Sequence, residues 1–498
     1  MSTFDPTRRQ LLKAVAWLPL ASACGRLAFA SDGSAAKQAQ ASLVVHPERL
    51  GRTVSDSLTG FSYETQQLEN PAFFSADNHA LVRLFRELSP RGVLRIGGNS
   101  SDYTVWTAYR GEVPAQRTHK GGPQRPVMLK PEALHALAGF LRATGWKLVF
   151  GVNLKIGVPA MAVELAQAVR QIVGDDLIAI QIGNEANNYE ADYAAFDQAW
   201  SPYAKVIRDA GIPIAGPDTG ANTDWVIEYA KRHGEENIFL SRHYYKEAAP
   251  RGSIADLLAG DAGFYAEVEQ AMQAADASHL PFRLTEANSY YLGGRDGVSN
   301  VFASALWGAD FMLAMAQRGV AGIHFHGGTL DSIEASLGRS ADATTTATDQ
   351  AARRDAVTSR YSAIAGDVAL GFQPRPLYYG MQLAQSFAGA QMLNADLDAA
   401  GANLTAYVAR RGRALLVALI NKDAGRDVAV SLSGLRGGGK GRLMRLSAPA
   451  LDSRNGVVFE NGTDPARAGH SVTVDAHGRC SVVLPRGSAA LMHLDRFV

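Results

Sequence analysis

The chain has little cysteine and almost no net charge, and both shortages limit what it does. Two cysteines, Cys24 and Cys480, occur in 498 residues. That is too few for the disulfide frameworks that hold small secreted domains, so stability has to come from buried apolar cores. Cys480, in the apolar run Cys480-Ser481-Val482-Val483-Leu484, reads as a small buried hydrophobe rather than a reactive thiol. The 49 basic and 48 acidic side chains nearly cancel, to a formal charge of +1. No overall field therefore draws nucleic acid or an anionic membrane, and neither is expected as a partner. An acidic ligand would have to be held by local groups. Beyond the N-terminus no charge-free apolar run reaches the roughly 20 residues of a spanning helix. Metal-ligand spacing is also scarce. His324-Phe325-His326 has no third ligand in an obvious pattern, so those histidines read as pocket lining, and neither a metal nor a cofactor is expected.

What is present begins with an export pattern. Thr7-Arg8-Arg9-Gln10-Leu11-Leu12-Lys13, the apolar residues 14–23 and the small-x-small site Ala28-Phe29-Ala30 mark residues 1–30 as a twin-arginine signal. Its removal would leave the mature chain in the periplasm or outside the cell, with Cys480 its only cysteine. A second reading of the same stretch is a lipid anchor at Cys24. Leu20-Ala21-Ser22-Ala23-Cys24 loosely resembles a lipoprotein cleavage box, with its leucine one place early. Residues 31–40 read as a linker.

The length predicts more than one core. From residue 59, short apolar runs alternate with helical patterns, as at 92–96, 147–153, 177–182, 212–216, 238–241, 282–285 and 320–325. Such alternation means a parallel sheet with helical crossovers, and about eight units in this span predict a closed (β/α)8 barrel over residues 59–388. Residues 329–373 read as a long polar loop covering the barrel, with a closing helix over 377–387. Residues 389–498 show strands separated by Gly, Asn and Asp turns, an all-β sandwich. The N-terminal strand, residues 41–58, is expected to pair into that sandwich.

Catalytic groups of such barrels sit beyond the C-terminal ends of the strands. Two glutamates stand there: Glu185 in Gly183-Asn184-Glu185-Ala186-Asn187 and Glu286 in Thr285-Glu286-Ala287-Asn288. Paired carboxyls suit glycosidic bond cleavage. One protonates the leaving oxygen while the other attacks the anomeric carbon, across a gap of about 5 Å in retaining enzymes. An amide at Asn184, before the acid/base, suits a sugar 2-hydroxyl. The competing reading of a lone strand-end glutamate is a salt-bridged structural residue.

Arg95-Ile96-Gly97-Gly98-Asn99-Ser100-Ser101-Asp102, Gly183-Asn184-Glu185-Ala186-Asn187, His243-Tyr244-Tyr245 and Thr285-Glu286-Ala287-Asn288-Ser289-Tyr290-Tyr291 together resemble glycoside hydrolase family 79, of clan A, over residues 41–498. That family contains β-glucuronidases and heparanases. The resemblance implies Glu185 as acid/base, Glu286 as nucleophile and Tyr244 as a hydrogen-bond donor to Glu286. It further implies that Glu64 and Asn99 contact sugar hydroxyls. In the family the backbone of a Tyr-Gly-Gly turn holds the uronate carboxylate. Here the turn is Tyr291-Leu292-Gly293-Gly294, with Leu292 in place of the first glycine and Arg295 alongside. The implied activity is exo-β-D-glucuronidase on glucuronic acid-containing glycans. An endo-acting heparanase-like enzyme is the alternative, although Lys246, Arg251, Arg295 and Arg339 form no dense basic run. A non-catalytic carbohydrate-binding protein is the alternative of another class.

Overall fold

The computed structural model describes residues 38–112, 122–341, 346–435, 438–460 and 469–495. The export signal, its cleavage site and Cys24 lie outside the described residues. No helix among the described residues is long and apolar enough to cross a membrane.

Strand β1 (Ala39–Thr53) precedes eight strands: β2 (Thr59–Glu64), β3 (Val93–Gly97), β4 (Lys147–Val152), β5 (Leu177–Ile182), β6 (Ile214–Thr219), β7 (Asn237–Ala248), β8 (Phe282–Tyr291) and β9 (Gly322–Gly327). Each of β2 to β9 pairs in parallel with its sequence neighbour. Strand β9 returns to β2, from Ile323 against Thr59 to Gly327 against Tyr63, and closes the barrel. Helices cover these strands outside and side chains fill them inside, so both faces are buried and the runs are apolar.

The two-residue period of a strand sorts the barrel interior into layers. Val93, Val149, Ala179, Ala215 and Phe239 form a small apolar cluster. Two residues further on, Arg95, Gln181 and Ser241 are wholly buried, so the interior turns polar toward the C-terminal ends. The intervening Leu94, Ile96, Ile180, Ile182 and Leu240 belong to the large core shared with the surrounding helices.

The C-terminal strands are β10 (Gln391–Asp398), β11 (Leu404–Arg411), β12 (Ala414–Asn421), β13 (Val428–Ser433), β14 (Lys440–Ser447), β15 (Val458–Phe459), β16 (His470–Thr473), β17 (Cys480–Leu484) and β18 (Ser488–Leu494). With β1 they form one curled ten-stranded sheet, in which β1 lies antiparallel to β10 and parallel to β13. Strand β12 is buried on both sides. Leu415, Val417 and Leu419 enter the core enclosed by the sheet, whereas Leu416, Ala418 and Ile420 join the core of the barrel. Between sheet and barrel runs the helix Phe302–Arg318, buried throughout from Phe302 to Ala316. Its Asp310 accepts from Lys422 at 2.5 Å, Thr405 at 2.6 Å and Tyr407 at 2.7 Å. A buried carboxylate needs such partners, because desolvation otherwise outweighs any attraction.

The stretch 329–373, expected as one loop, carries local structure. Helices Leu330–Ser336 and Gln350–Ala356 lie within it, and the hairpin of Ile364–Asp367 with Gly371–Pro374 ends one residue beyond it. These pieces are too short to show a periodicity in sequence.

Candidate active site

Glu286 stands where β8 is irregular. The pairing of β8 with β7 shifts register between Leu284 and Glu286. Consecutive residues then turn inward: Thr285 donates to Asp218 Oδ1 at 2.5 Å, and Glu286 Oε2 accepts from Arg95 Nη1 at 2.7 Å. Bulges commonly re-aim side chains beside active sites. The other oxygen, Glu286 Oε1, accepts from the Tyr245 hydroxyl at 2.8 Å. Burial alone would push this carboxyl up and is the largest single influence, but His326, His243, Arg95 and the Tyr245 hydroxyl together draw it down to about 2. Glu286 is thus held as a carboxylate across the neutral range.

Glu185 follows β5 in the left-handed region, at φ 49° and ψ 46°. A non-glycine residue there stores roughly 1–2 kcal/mol of strain, which the surrounding bonds have to hold. Its N–H donates to the Asp218 carbonyl at 2.9 Å, and its Oε2 accepts from Asn188 at 2.8 Å. Its Oε1 lies 2.9 Å from His243 Nδ1, while His243 Nε2 lies 3.0 Å from Asp218 Oδ1. Burial opposes the His243 cation more than any other influence. The carboxylates of Asp218 and Glu286, with hydrogen bonding to Asp218 and Glu185, outweigh it and push the imidazole up to about 10. A protonated imidazole thus faces Glu185 with Asp218 behind it.

One oxygen of Glu185, one oxygen of Glu286 and a nitrogen of His243 all lie within 4.8 Å of one another. The trio has the residue types of a metal site. A cation there would have to displace the proton that Asp218 and Glu286 hold on His243.

The two glutamates open on a cavity of about 330 Å³, at the small end of ligand pockets. Glu64, Asn99, His326, Tyr245, Leu292 and Tyr361 also line it. Glu64 accepts from the Ser100 N–H at 2.8 Å and from its hydroxyl at 2.6 Å. Asn99 Oδ1 accepts from Asn184 Nδ2 at 3.1 Å. Asn184 itself is buried behind the cavity, with its amide oxygen on Arg95 at 2.7 Å and its N–H on Asp102 at 3.0 Å. Asp102 also accepts from the Leu154 N–H at 3.0 Å and the Tyr189 hydroxyl at 3.1 Å. Burial nonetheless pushes its carboxyl up to about 6.

The structure corrects the role expected of Tyr244. Its hydroxyl donates to Asp261 at 2.9 Å, and its ring packs on Phe264 and Phe311, outside the barrel. The donor to Glu286 is Tyr245. Along β7 the residues Ser241, His243 and Tyr245 share the inward face, and Tyr244 falls on the other.

The turn after β8 holds Leu292, Gly293 and Gly294 at φ 67°, 84° and 86°. Leu292 and Gly293 line the cavity, and Tyr291 stands exposed at its rim. Gly294 meets Tyr361 so closely that an added Cβ would lie 2.7 Å from the Tyr361 nitrogen. Arg295 faces a neighbouring cavity beside Arg339 and Arg360. His324 lies inside the barrel, 3.3 Å from Arg283 Nη1, and does not line the pocket.

Sequence reasoning left Arg95, Asp218, His243 and Tyr245 without roles, although Arg95, His243 and Tyr245 lay inside quoted motifs. The available signal was Arg95 itself, a single charge within an apolar strand.

Fold and site define a (β/α)8 barrel with an appended β-domain and a cavity framed by two opposed carboxyls. No family model matches the chain. Over 285 residues it is 26% identical to the β-glucuronidase of Neurospora crassa, a stretch covering 47% of this chain and 50% of that protein. Over 50 residues it is 44% identical to a β-glucuronidase of Aspergillus niger, covering 10% of this chain and 9% of that one. The chain thus matches half or less of the length of these curated relatives. Among solved structures, a 4-O-α-L-rhamnosyl-β-D-glucuronidase from Fusarium oxysporum shares the fold, with TM-score 0.68, 18% identity and coverage of 91% of this chain and 99% of that one.

Proposed function

We propose that this chain is a glycoside hydrolase of the family 79 type that releases β-linked glucuronic acid from the non-reducing end of glycans, with retention and without a cofactor. The observation that carries the reading is the separation of Glu185 and Glu286, whose nearest oxygens lie within 4.8 Å. Retaining enzymes hold their carboxyls about 5 Å apart, whereas inverting enzymes need about 6.5–9.5 Å to seat a water between them.

Glu286, kept ionised by Arg95 and Tyr245, attacks the anomeric carbon as the glycosidic bond breaks. Glu185 gives its proton to the departing oxygen. In the second half Glu185 takes a proton from water, whose oxygen displaces Glu286 from the same carbon. His243 and Asp218 orient Glu185 throughout. Among the described residues, the backbone N–H groups of Leu292 and Gly293 have no partner, and they are available to a uronate carboxylate at the cavity wall. Ile333, Ser336, Leu337 and Tyr361, from the stretch after β9, wall one side of the cavity. A walled cavity of this size favours exo over endo action. Export through the twin-arginine route belongs to the same proposal and rests on the leader sequence.

The test is hydrolysis of 4-nitrophenyl β-D-glucuronide, with the β-glucoside as control and the first-formed anomer read by proton NMR. The β-anomer of glucuronic acid should appear first. Glu286→Gln should abolish turnover and covalent labelling by a glucuronate-configured cyclophellitol-type probe. Glu185→Gln should slow poor leaving groups far more than activated ones, since only the former need the proton. Near-wild-type turnover by Glu286→Gln would sink the assignment.

A further inference from the structure

One wall of the cavity is made by two segments. Leu292 and Gly293 come from the turn after β8, and Tyr361 from the stretch after β9. The segments meet through their backbones, the N–H groups of Arg360 and Tyr361 donating to the Gly293 carbonyl at 2.7 and 3.3 Å. A third element reaches across both. In the connection between β14 and β15, Arg454 Nη2 donates to Asp296 Oδ2 at 2.7 Å and Nη1 to Asp355 Oδ2 at 2.9 Å. Asp296 belongs to the first segment, and Asp355 lies just before the second.

The same connection anchors the neighbouring helix. The carbonyls of Ser453 and Leu451 accept from the N–H groups of Phe302 and Ala303, each at 2.8 Å. These are free N–H groups at the start of the helix Phe302–Arg318, whose N-cap position, Val301, has no polar side chain to offer. Arg375 holds Asp355 at 2.6 Å, and Arg360 lies 3.6 Å from Asp296 and 3.5 Å from Asp355. Two carboxylates brought this near repel unless cations stand between them.

We propose that Arg454 is a positioning residue through which the C-terminal sheet fixes the cavity wall that faces the uronate. The uronate rests on the glucuronidase reading, whereas the clamp does not. A planar guanidinium bonds two carboxylates at once in a fixed fork, which an ammonium does not reproduce. Arg454, Asp296 and Asp355 do not line the cavity, and on the wall they hold the backbone N–H groups of Leu292 and Gly293 are those proposed for the uronate carboxylate rather than for the breaking bond. Its loss therefore weakens ground state and transition state alike, which raises KM and spares kcat.

The experiment compares wild type, Arg454→Ala and Arg454→Lys as full chains. Hydrogen–deuterium exchange reads residues 292–301 and 355–361, and steady-state kinetics use 4-nitrophenyl β-D-glucuronide. Exchange should rise in both segments of Arg454→Ala, KM should rise about three- to tenfold with kcat held within about twofold, and Arg454→Lys should fall between. Unchanged exchange in both segments overturns the clamp, as does a loss of kcat at unchanged KM. A wild type inert toward the glucuronide would defeat the functional reading alone, and exchange would still decide the clamp. If Arg454→Ala fails to fold, Arg454→Lys and Asp296→Asn carry the same comparison.

Discussion

Replacing Arg95 by methionine, which keeps much of the volume and removes the charge, tests the electrostatic core of the site. Arg95 is wholly buried and bonds Glu286 at 2.7 Å and Asp218 at 2.6 Å. With charge centres about 4 Å apart and an effective dielectric of about 20, its attraction for Glu286 has an upper bound of about 4 kcal/mol, or roughly three pKa units. His243, His326 and Tyr245 remain in the variant, so about half of that should be realised. The sign follows from the direction of the shift. Glu286 is lowered from 4.5 to about 2, so losing one of the groups that hold it down moves it up. The acid limb of kcat/KM should therefore rise by about one to two pH units. Stability should suffer as well, since two buried carboxylates lose their partner, at a cost of about 3–5 kcal/mol and a fall in Tm of about 3–5 °C. A carboxyl held low contributes stability that is present above its unfolded pKa and lost as pH falls through its folded one. The wild type should accordingly lose part of its stability between pH 4.5 and about 2, and the variant less. Kinetics and thermal melts from about pH 2 to 9 measure both effects. An acid limb and a Tm that both match the wild type would refute the reasoning.

Two further substitutions separate chemistry from scaffolding. Tyr245→Phe removes the hydroxyl 2.8 Å from Glu286 and should lower kcat about 10- to 100-fold. Tyr244→Phe, which loses only the bond to Asp261, should leave kcat within about twofold, and equal losses in the two variants would show that the inward face of β7 is misassigned. Lys422→Met strands the buried Asp310 and should destabilise the chain by about 3–5 kcal/mol in urea denaturation while kcat of the folded fraction stays unchanged.

The barrel was legible because parallel strands buried on both faces read as short apolar runs, as at 92–96 and 177–182. Both glutamates were legible because their strands end in polar turns. The side of β7 that faces inward was not legible, since adjacent tyrosines are equivalent in composition and only the pairing register tells Tyr244 from Tyr245. Asp218 was hidden by Gly216 and Pro217, which made β6 look as though it ended earlier than it does. His243 and Asp218 act through a contact between neighbouring strands, and no local pattern records such a pairing.

Strand β1 is synthesised before the barrel, yet its two neighbours, β10 and β13, come after it. Between the end of β1 at Thr53 and the start of β10 at Gln391 lie 337 residues. At about 5–20 residues per second, a ribosome takes roughly 20 to 70 seconds to cover them. For that time the oldest strand of the protein waits with both hydrogen-bonding edges bare, the state in which strands recruit wrong neighbours. Translation speed and chaperone supply should therefore govern the yield of folded protein, and truncations at the C-terminus should aggregate rather than leave an intact barrel.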